Sequence, residues 1–476
     1  MDLRSGVGKR NRIIGLVMTA GLALAAARAS AATPLSPAAA QGGPITAFNH
    51  ASSVWMLVST ALVMLMVPGL AIFYGGMVRR KNILATMMHS YVALAVVGLV
   101  WVVLGYTLAF GHDHAGIIGF TPGQIMLWQV LPGSSINPSG HAAIPLYLFI
   151  MFEGMFAAIT AAIVSGSIVE RVRFGPYIAF LVLWTLFIYC PLAHWVWGSG
   201  WLGTTHGLGV MDFAGGTVVE IASGVSGLAM ALYVGRRIGY PENVLQPNSL
   251  VLTFFGAGIL WFGWFGFNGG SAIAMDRSAV LAFTNTQIAA AAGAMAWLVA
   301  DWIKHGRPTS ISVASGLVAG MVAITPACGF VSPASALLIG AAAGVVCYSA
   351  VIIKNRFGYD DALDAFGVHG VGGFLGIVAT GVLASRMMGS GSGLLYGNVH
   401  QFLIQCLAAV VAVAFCLLGT LLLALVIDKS IGLRVTSTDE IDGLDIAIHA
   451  EPGWNLSEVP APAVELPGSI SVDPIN

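Results

Sequence analysis

Two ionisable residues stand where an apolar chain should not carry them. Glu220 lies in DFAGGTVVEIASG and His369 in DAFGVHGVGGFLG, each inside a run of small and apolar residues. A charge at the centre of a bilayer costs at least about 2.5 to 3.5 kcal/mol, so an ionisable group at that depth normally faces a bundle interior and serves a pathway. A carboxyl and an imidazole that face each other can share one proton, as carboxylate with imidazolium or as acid with neutral imidazole. Either state has zero net charge, and both can relay a proton.

The other residue types that could do chemistry point nowhere comparable. His112-Asp113-His114 could hold a metal, but in a long polar connection this pattern reads as a solvated turn. The five cysteines (Cys190, Cys328, Cys347, Cys406, Cys416) lack CxxC or Cys/His spacing and read as packing thiols. With no nucleophile–base or metal constellation, an enzyme is not expected, and neither is a cofactor. Nothing basic is interleaved with aromatics, and the net charge of −1 gives no reason to expect nucleic acid.

The elements that must position Glu220 and His369 follow from composition. Apolar residues make up 57% of the 476 residues and charged residues 9%, with a mean hydropathy of +0.86, which excludes an ordinary soluble domain. Runs long enough to cross about 30 Å of hydrocarbon recur at 51–77, 83–110, 143–169, 176–197, 214–235, 249–267, 279–303, 309–326, 334–353, 365–385 and 398–427. This predicts an all-α polytopic membrane protein with eleven transmembrane helices. Before them stand a basic run, the apolar stretch IIGLVMTAGLALAAA, and small residues Ala29 and Ala31, which together read as a cleaved signal peptide over 1–31. The expected domains are therefore the signal, an eleven-helix unit over 32–427, and a tail over 428–476.

Connections after odd-numbered spans hold Arg79, Arg80, Lys81, Arg171, Arg173, Arg236, Arg237, Lys304, Arg307, Lys354, Arg356, Lys429 and Arg434, whereas the opposite loops hold only Arg277 and Arg386. That bias predicts the first span running inward, with the C-terminus in the cytoplasm and the protein in the inner membrane. Glycines spaced small-xxx-small, Gly316 with Gly320, Gly340 with Gly344 and Gly372 with Gly376, predict close helix packing. Glu220 and His369 fall on the fifth and tenth spans, the last of two successive groups of five. An odd number per group inverts one half against the other, so the pair is expected to meet at the midplane between two inverted repeats.

The motifs FYGGMVRRKN, FAAITAAIVSGSIVERVRF, AHWVWGSG, DFAGGTVV, WFGWFGFNGGSA and FGVHGVGG, in this order, resemble the ammonium transporter family, Amt/Mep/Rh, over about residues 50 to 454. The resemblance implies a homotrimer of eleven-helix subunits, each with its own pore between two five-helix halves and the eleventh helix lying across the outside. It also implies an outer recruitment site of Phe156, Trp197 and Ser271, a phenyl gate of Phe152 and Phe267 beneath it, and Trp264 lining the lumen. Asp212 matches the family's structural aspartate, which orders the vestibule. Trp197 favours the Amt branch. The implied activity is passage of ammonium as ammonia with a relayed proton; an ammonium sensor with the same fold is the alternative.

Two residues depart from the family's pattern. Most members carry histidine where Glu220 stands, although some, notably fungal ones, also carry glutamate there. Glu153 stands where glutamine or another uncharged residue is usual, and has two readings: a group that attracts cations, or a carboxylate bonded to neighbouring helix ends. The tail segment 428–454 is similar to the family's ordered cytoplasmic tail, which implies contact with a neighbouring subunit and with a PII signal protein, whereas 455–476 reads as disordered.

Overall fold

The protein is described by a computed structural model over residues 48–138, 140, 142–242 and 246–454. The expected signal segment and the tail from 455 on lie outside the described residues. Among the described residues ten helices are long and apolar enough to cross a membrane: His50–Met77 (α1), Arg80–Phe110 (α2), Leu146–Ser167 (α3), Phe174–Val196 (α4), Gly216–Val234 (α5), Leu250–Gly270 (α6), Arg277–His305 (α7), Pro333–Phe357 (α9), Phe366–Leu383 (α10) and Val399–Ile431 (α11). Between α7 and α9 stands the shorter apolar helix Ser310–Ile324 (α8). At 15 residues it is only about 22 Å long. It does not have to meet lipid along its length, because every residue from Gly316 to Ile324 is buried.

Helix starts are set by side chains that accept from otherwise unpartnered backbone N–H groups. Asn49 caps α1, Ser249 α6, Asp276 α7, Thr309 α8, Ser332 α9 and Asn398 α11. The connection between α2 and α3 is mostly irregular and carries two minimal hairpins, Asp113–His114 with Ile118–Gly119 and Ser135–Ile136 with Ile144–Pro145.

Packing follows the small residues. α1 lies along α6, and α7 lies against both α8 and α9. A Cβ at Gly316 or at Gly344 would stand 2.6 Å from the Gly293 carbonyl oxygen, so α8 and α9 reach the α7 backbone only because these positions lack one. α5 crosses α10 in the same way: a Cβ at Gly224 would stand 2.5 Å from Gly370 Cα, and one at Gly373 would stand 2.6 Å from Glu220 Cβ. Both helices open with a π-helical turn, Gly216–Ile221 and Phe366–Gly370. The two expected polar residues sit on these turns.

The end that holds the odd-numbered connections, the basic end, is tied together by buried ion pairs. Glu170 accepts from the Arg79 backbone and Nε (2.9 and 3.0 Å), from Asn82 Nδ2 (2.9 Å) and from Arg237 (3.1 Å), and Arg237 also pairs with Asp360 at 2.8 Å. This joins segments that leave α1, α3 and α5 to the one that enters α10. The tail forms two short helices, Ser437–Asp442 (α12) and Leu444–His449 (α13), which dock on the same end of their own chain. Asp445 Oδ1 accepts from the Ala85 backbone N–H, Asn82 Oδ1 from Leu444 N–H (both 2.8 Å), and Glu440 Oε1 from Ile238 N–H at 2.6 Å.

Candidate functional site

Glu220 Oε2 lies 2.7 Å from His369 Nδ1, with the Glu220 side chain fully buried and that of His369 7% exposed. The contact depends on the glycine crossing of α5 and α10, since a side chain at Gly373 would collide with Glu220 itself. Glu220 Oε1 is buried and has no hydrogen-bond partner. An unpaired buried acceptor costs about 1 to 3 kcal/mol, which is consistent with a group that takes its partner transiently. π-helical turns occur frequently at functional sites, because the extra residue re-aims a side chain without ending the helix.

Two cavities open at opposite ends of the bundle, and one of them reaches His369. One, of about 670 Å³, opens at the basic end and is lined by His369, Tyr74, Asp301, His305, Tyr348 and Asp364. In it Asp301 accepts from Ser312 Oγ (2.6 Å), Thr309 Oγ1 (3.0 Å) and Tyr348 OH (3.3 Å), and meets His305 Nδ1 at 2.7 Å. The other, of about 980 Å³, opens at the opposite end and is lined by Phe156, Trp197, Ser271, Asp212 and Glu153. The structure thus brings the three expected recruitment residues to one cavity. Phe156 and Trp197 meet edge to face at 6.1 Å, and Ser271 Oγ donates to Phe267 O at 2.8 Å, which leaves its lone pairs as acceptors.

The expected gate differs in detail. Phe267 stacks face to face on Phe156, at 4.1 Å and 24°, whereas Phe152 packs on Phe156 at 4.8 Å and beneath Gly270. The i,i+4 spacing of Phe152 and Phe156 puts both on one helix face, and only the three-dimensional position of Phe267 decides which ring it covers. Trp264 lies 5.3 Å from Phe267 and donates Nε1–H to Thr325 Oγ1 at 3.0 Å. Asp212 folds over the start of α5, accepting from the backbone N–H groups of Gly215, Gly216 and Thr217 and from Thr217 Oγ1. Burial lifts its carboxyl above the ordinary range although these bonds pull it down. Its oxygens are fully used.

Two polar arrangements were not legible in the sequence. Asp113 pairs with His194 Nε2 at 2.8 Å while His194 Nδ1 meets Ala109 O at 2.9 Å, so the HDH stretch anchors a loop to α4. The His194 hydrogen bond holds the Asp113 carboxyl below its usual range. The Glu170 hub lies at the end of the motif FAAITAAIVSGSIVERVRF, where a carboxylate followed by arginine at a span end is its only local signal.

Ten long apolar helices and one shorter one, with a buried acid–imidazole pair among them and a cavity opening at each end, have the form of a multi-pass membrane protein with a polar site inside the bundle. The model of the Ammonium Transporter Family matches residues 54–454, and the chain belongs to that family. An ammonium transporter of Bacillus subtilis is 45% identical over 409 residues, covering 85% of this chain and 98% of that protein. The crystal structure of Saccharomyces cerevisiae Mep2 superposes with a TM-score of 0.76 at 36% identity, covering 83% of this chain and 89% of that one. A sensor Amt protein superposes with the same TM-score at 31% identity, covering 84% and 98%.

Proposed function

We propose that this chain moves ammonium across the inner membrane, recruiting the cation at Phe156, Trp197 and Ser271 and passing it as ammonia while its proton crosses by Glu220 and His369. The observation that carries the reading is the 2.7 Å contact of Glu220 with His369, which lines the cavity at one end of a bundle whose other end holds a cavity lined by aromatic faces. Ammonium and potassium carry the same charge at similar size, so discrimination has to use hydrogen-bond donors and an exchangeable proton. The Phe156 and Trp197 rings stabilise a cation by about 0.5 to 2 kcal/mol, and the Ser271 oxygen accepts an N–H bond that potassium cannot offer. Beyond the Phe156–Phe267 stack, neutral ammonia avoids the cost of a bare ion in an apolar passage. The proton left behind moves to the acid–imidazole pair, and His369 returns it on the far side.

By the excess of basic residues, the Glu170 end faces the cytoplasm and the Trp197 cavity faces outward. A homotrimer, an eleven-helix unit over 32–427 with a cytoplasmic tail, and a PII-type partner at that tail complete the reading, supported by family membership. Uptake of labelled methylammonium by a strain lacking its own ammonium uptake tests it. Uptake over the empty-vector background is expected, and none from well-expressed protein overturns it.

A further inference from the structure

Three carboxylates line the outer cavity, and two of them are already used. Asp212 accepts four hydrogen bonds from the start of α5, and Asp113 binds His194 and the Gly116 backbone. The third is Glu153 on α3, one turn before Phe156, 8% exposed, with its Oε2 buried and without a hydrogen-bond partner. Among the described residues that line this cavity there is no lysine and no arginine. A buried carboxylate without a counter-charge costs several kcal/mol, so this group has to hold either a proton or a cation taken from the cavity.

We propose that Glu153 is a cation-binding group of the outer vestibule, whose carboxyl exchanges its proton for ammonium or a small alkylammonium ion. The inference rests on the transport reading above and adds to it the anionic partner of the recruited cation. In the exchange the carboxyl releases its proton to vestibule water, and the cation takes its place as counter-ion, donating one N–H to the free Oε2. Phe156, Trp197 and Ser271 line the same cavity as Glu153, which brings aromatic faces and a hydroxyl acceptor to the space where the cation is taken up. Sodium and potassium gain the charge but lack the N–H donors, so the site keeps its preference for ammonium.

The other ionisable groups near Glu153 do not duplicate it. Tyr106 on α2 and Tyr189 on α4 are its electrostatic neighbours, and His112 and His206 line the cavity. None of the four supplies a fixed negative charge at neutral pH. The bond requires the ionised carboxylate, so affinity is expected to fall as pH is lowered.

The test is equilibrium binding of labelled methylammonium to the purified full chain between about pH 5.5 and 8.5, a range over which this amine stays protonated. Glu153→Gln keeps the shape and removes the charge, and Glu153→Asp keeps the charge and shortens its reach; gel filtration and melting temperature report folding. The wild type is expected to bind more weakly as pH falls. Glu153→Gln should bind about tenfold more weakly at the upper end, with a flat pH profile, as loss of one charge-assisted contact implies. Glu153→Asp should lie between them. A flat wild-type profile, or unchanged affinity in folded Glu153→Gln, overturns the proposal while leaving the transport reading intact. Binding that depends on Glu153 in a protein that takes up no methylammonium supports the site and overturns the transport reading instead.

Discussion

At Glu220 one side chain combines two properties that can be separated by a single atom. Its Oε2 meets His369 and its Oε1 has no partner, so the residue can be a hydrogen-bonding brace or a proton carrier. Glu220→Gln keeps volume and hydrogen bonding but cannot exchange a proton on the transport time scale. We expect it to fold and to lose electrogenic ammonium current by roughly a hundredfold or more, the range in which positioned acid–base groups act. Currents from proteoliposomes adsorbed on a supported membrane measure this, and an undiminished current would assign the carboxylate a purely structural role. Glu220→His should retain transport with a shifted pH profile.

The α5–α10 crossing is what makes that pair possible, and its control lies in residues without side chains. Gly224 is buried against the Gly370 backbone, so Gly224→Ala has to push the two helices apart. Overpacking of this kind costs about 1 to 3 kcal/mol, and the displacement also pulls Glu220 from His369. The expected outcome is a lowered melting temperature together with a loss of current. Gly258→Ala on α6, where a Cβ meets nothing within 4 Å, should leave both unchanged. Equal behaviour of the two variants would mean that the crossing is not tight.

Across the whole molecule, the basic end holds the two halves in register. Burial raises the Glu170 carboxyl, but Arg237 and Arg79 outweigh it and hold the group below its ordinary value; Asp360 is likewise depressed, its burial outweighed by Arg237 and Arg171. A depressed folded-state value contributes stability that is present above the unfolded carboxylate range and is lost as pH falls through the folded one. The melting temperature of the wild type should therefore fall between about pH 5 and pH 3. Glu170→Gln, which leaves Arg237 with less compensation, should be less stable by roughly 3 kcal/mol at neutral pH and flatter across the acid range. Thermal scans across that range check this, and parallel curves would remove Glu170 from the linkage. The tail belongs to the same assembly through Asp445, Leu444 and Glu440. Deleting 436–476 is expected to leave a folded bundle, because the spans pack without it, and to lower uptake per molecule by loosening the 79–82 and 236–238 segments. Failure of the truncated chain to insert would show that the tail is needed for folding.

The sequence by itself determined the apolar helices and their extent, the basic end, and that Glu220 and His369 stand inside apolar runs. Each of these is a local property: hydropathy sums over about twenty neighbouring residues, and an ionisable group within such a run is conspicuous by its cost. Even α8, short as a helix, is legible because its residues are small or apolar, with serine as its one polar type. The residues proposed for recruitment follow from resemblance to long motifs in fixed order, and Phe156, Trp197 and Ser271 share a cavity. What tertiary structure decided were the choices between near-equivalent partners. Phe152 and Phe156 are both placed to meet Phe267, and the relative position of α3 and α6 gives the stack to Phe156. Glu170 finds Arg79 and Arg237 at 91 and 67 residues' separation, Asp113 finds His194, and Glu153 finds no hydrogen-bond donor for its Oε2. Such pairings depend on where helices distant in the chain are brought within about 3 Å of each other, a length that no local pattern of residues encodes.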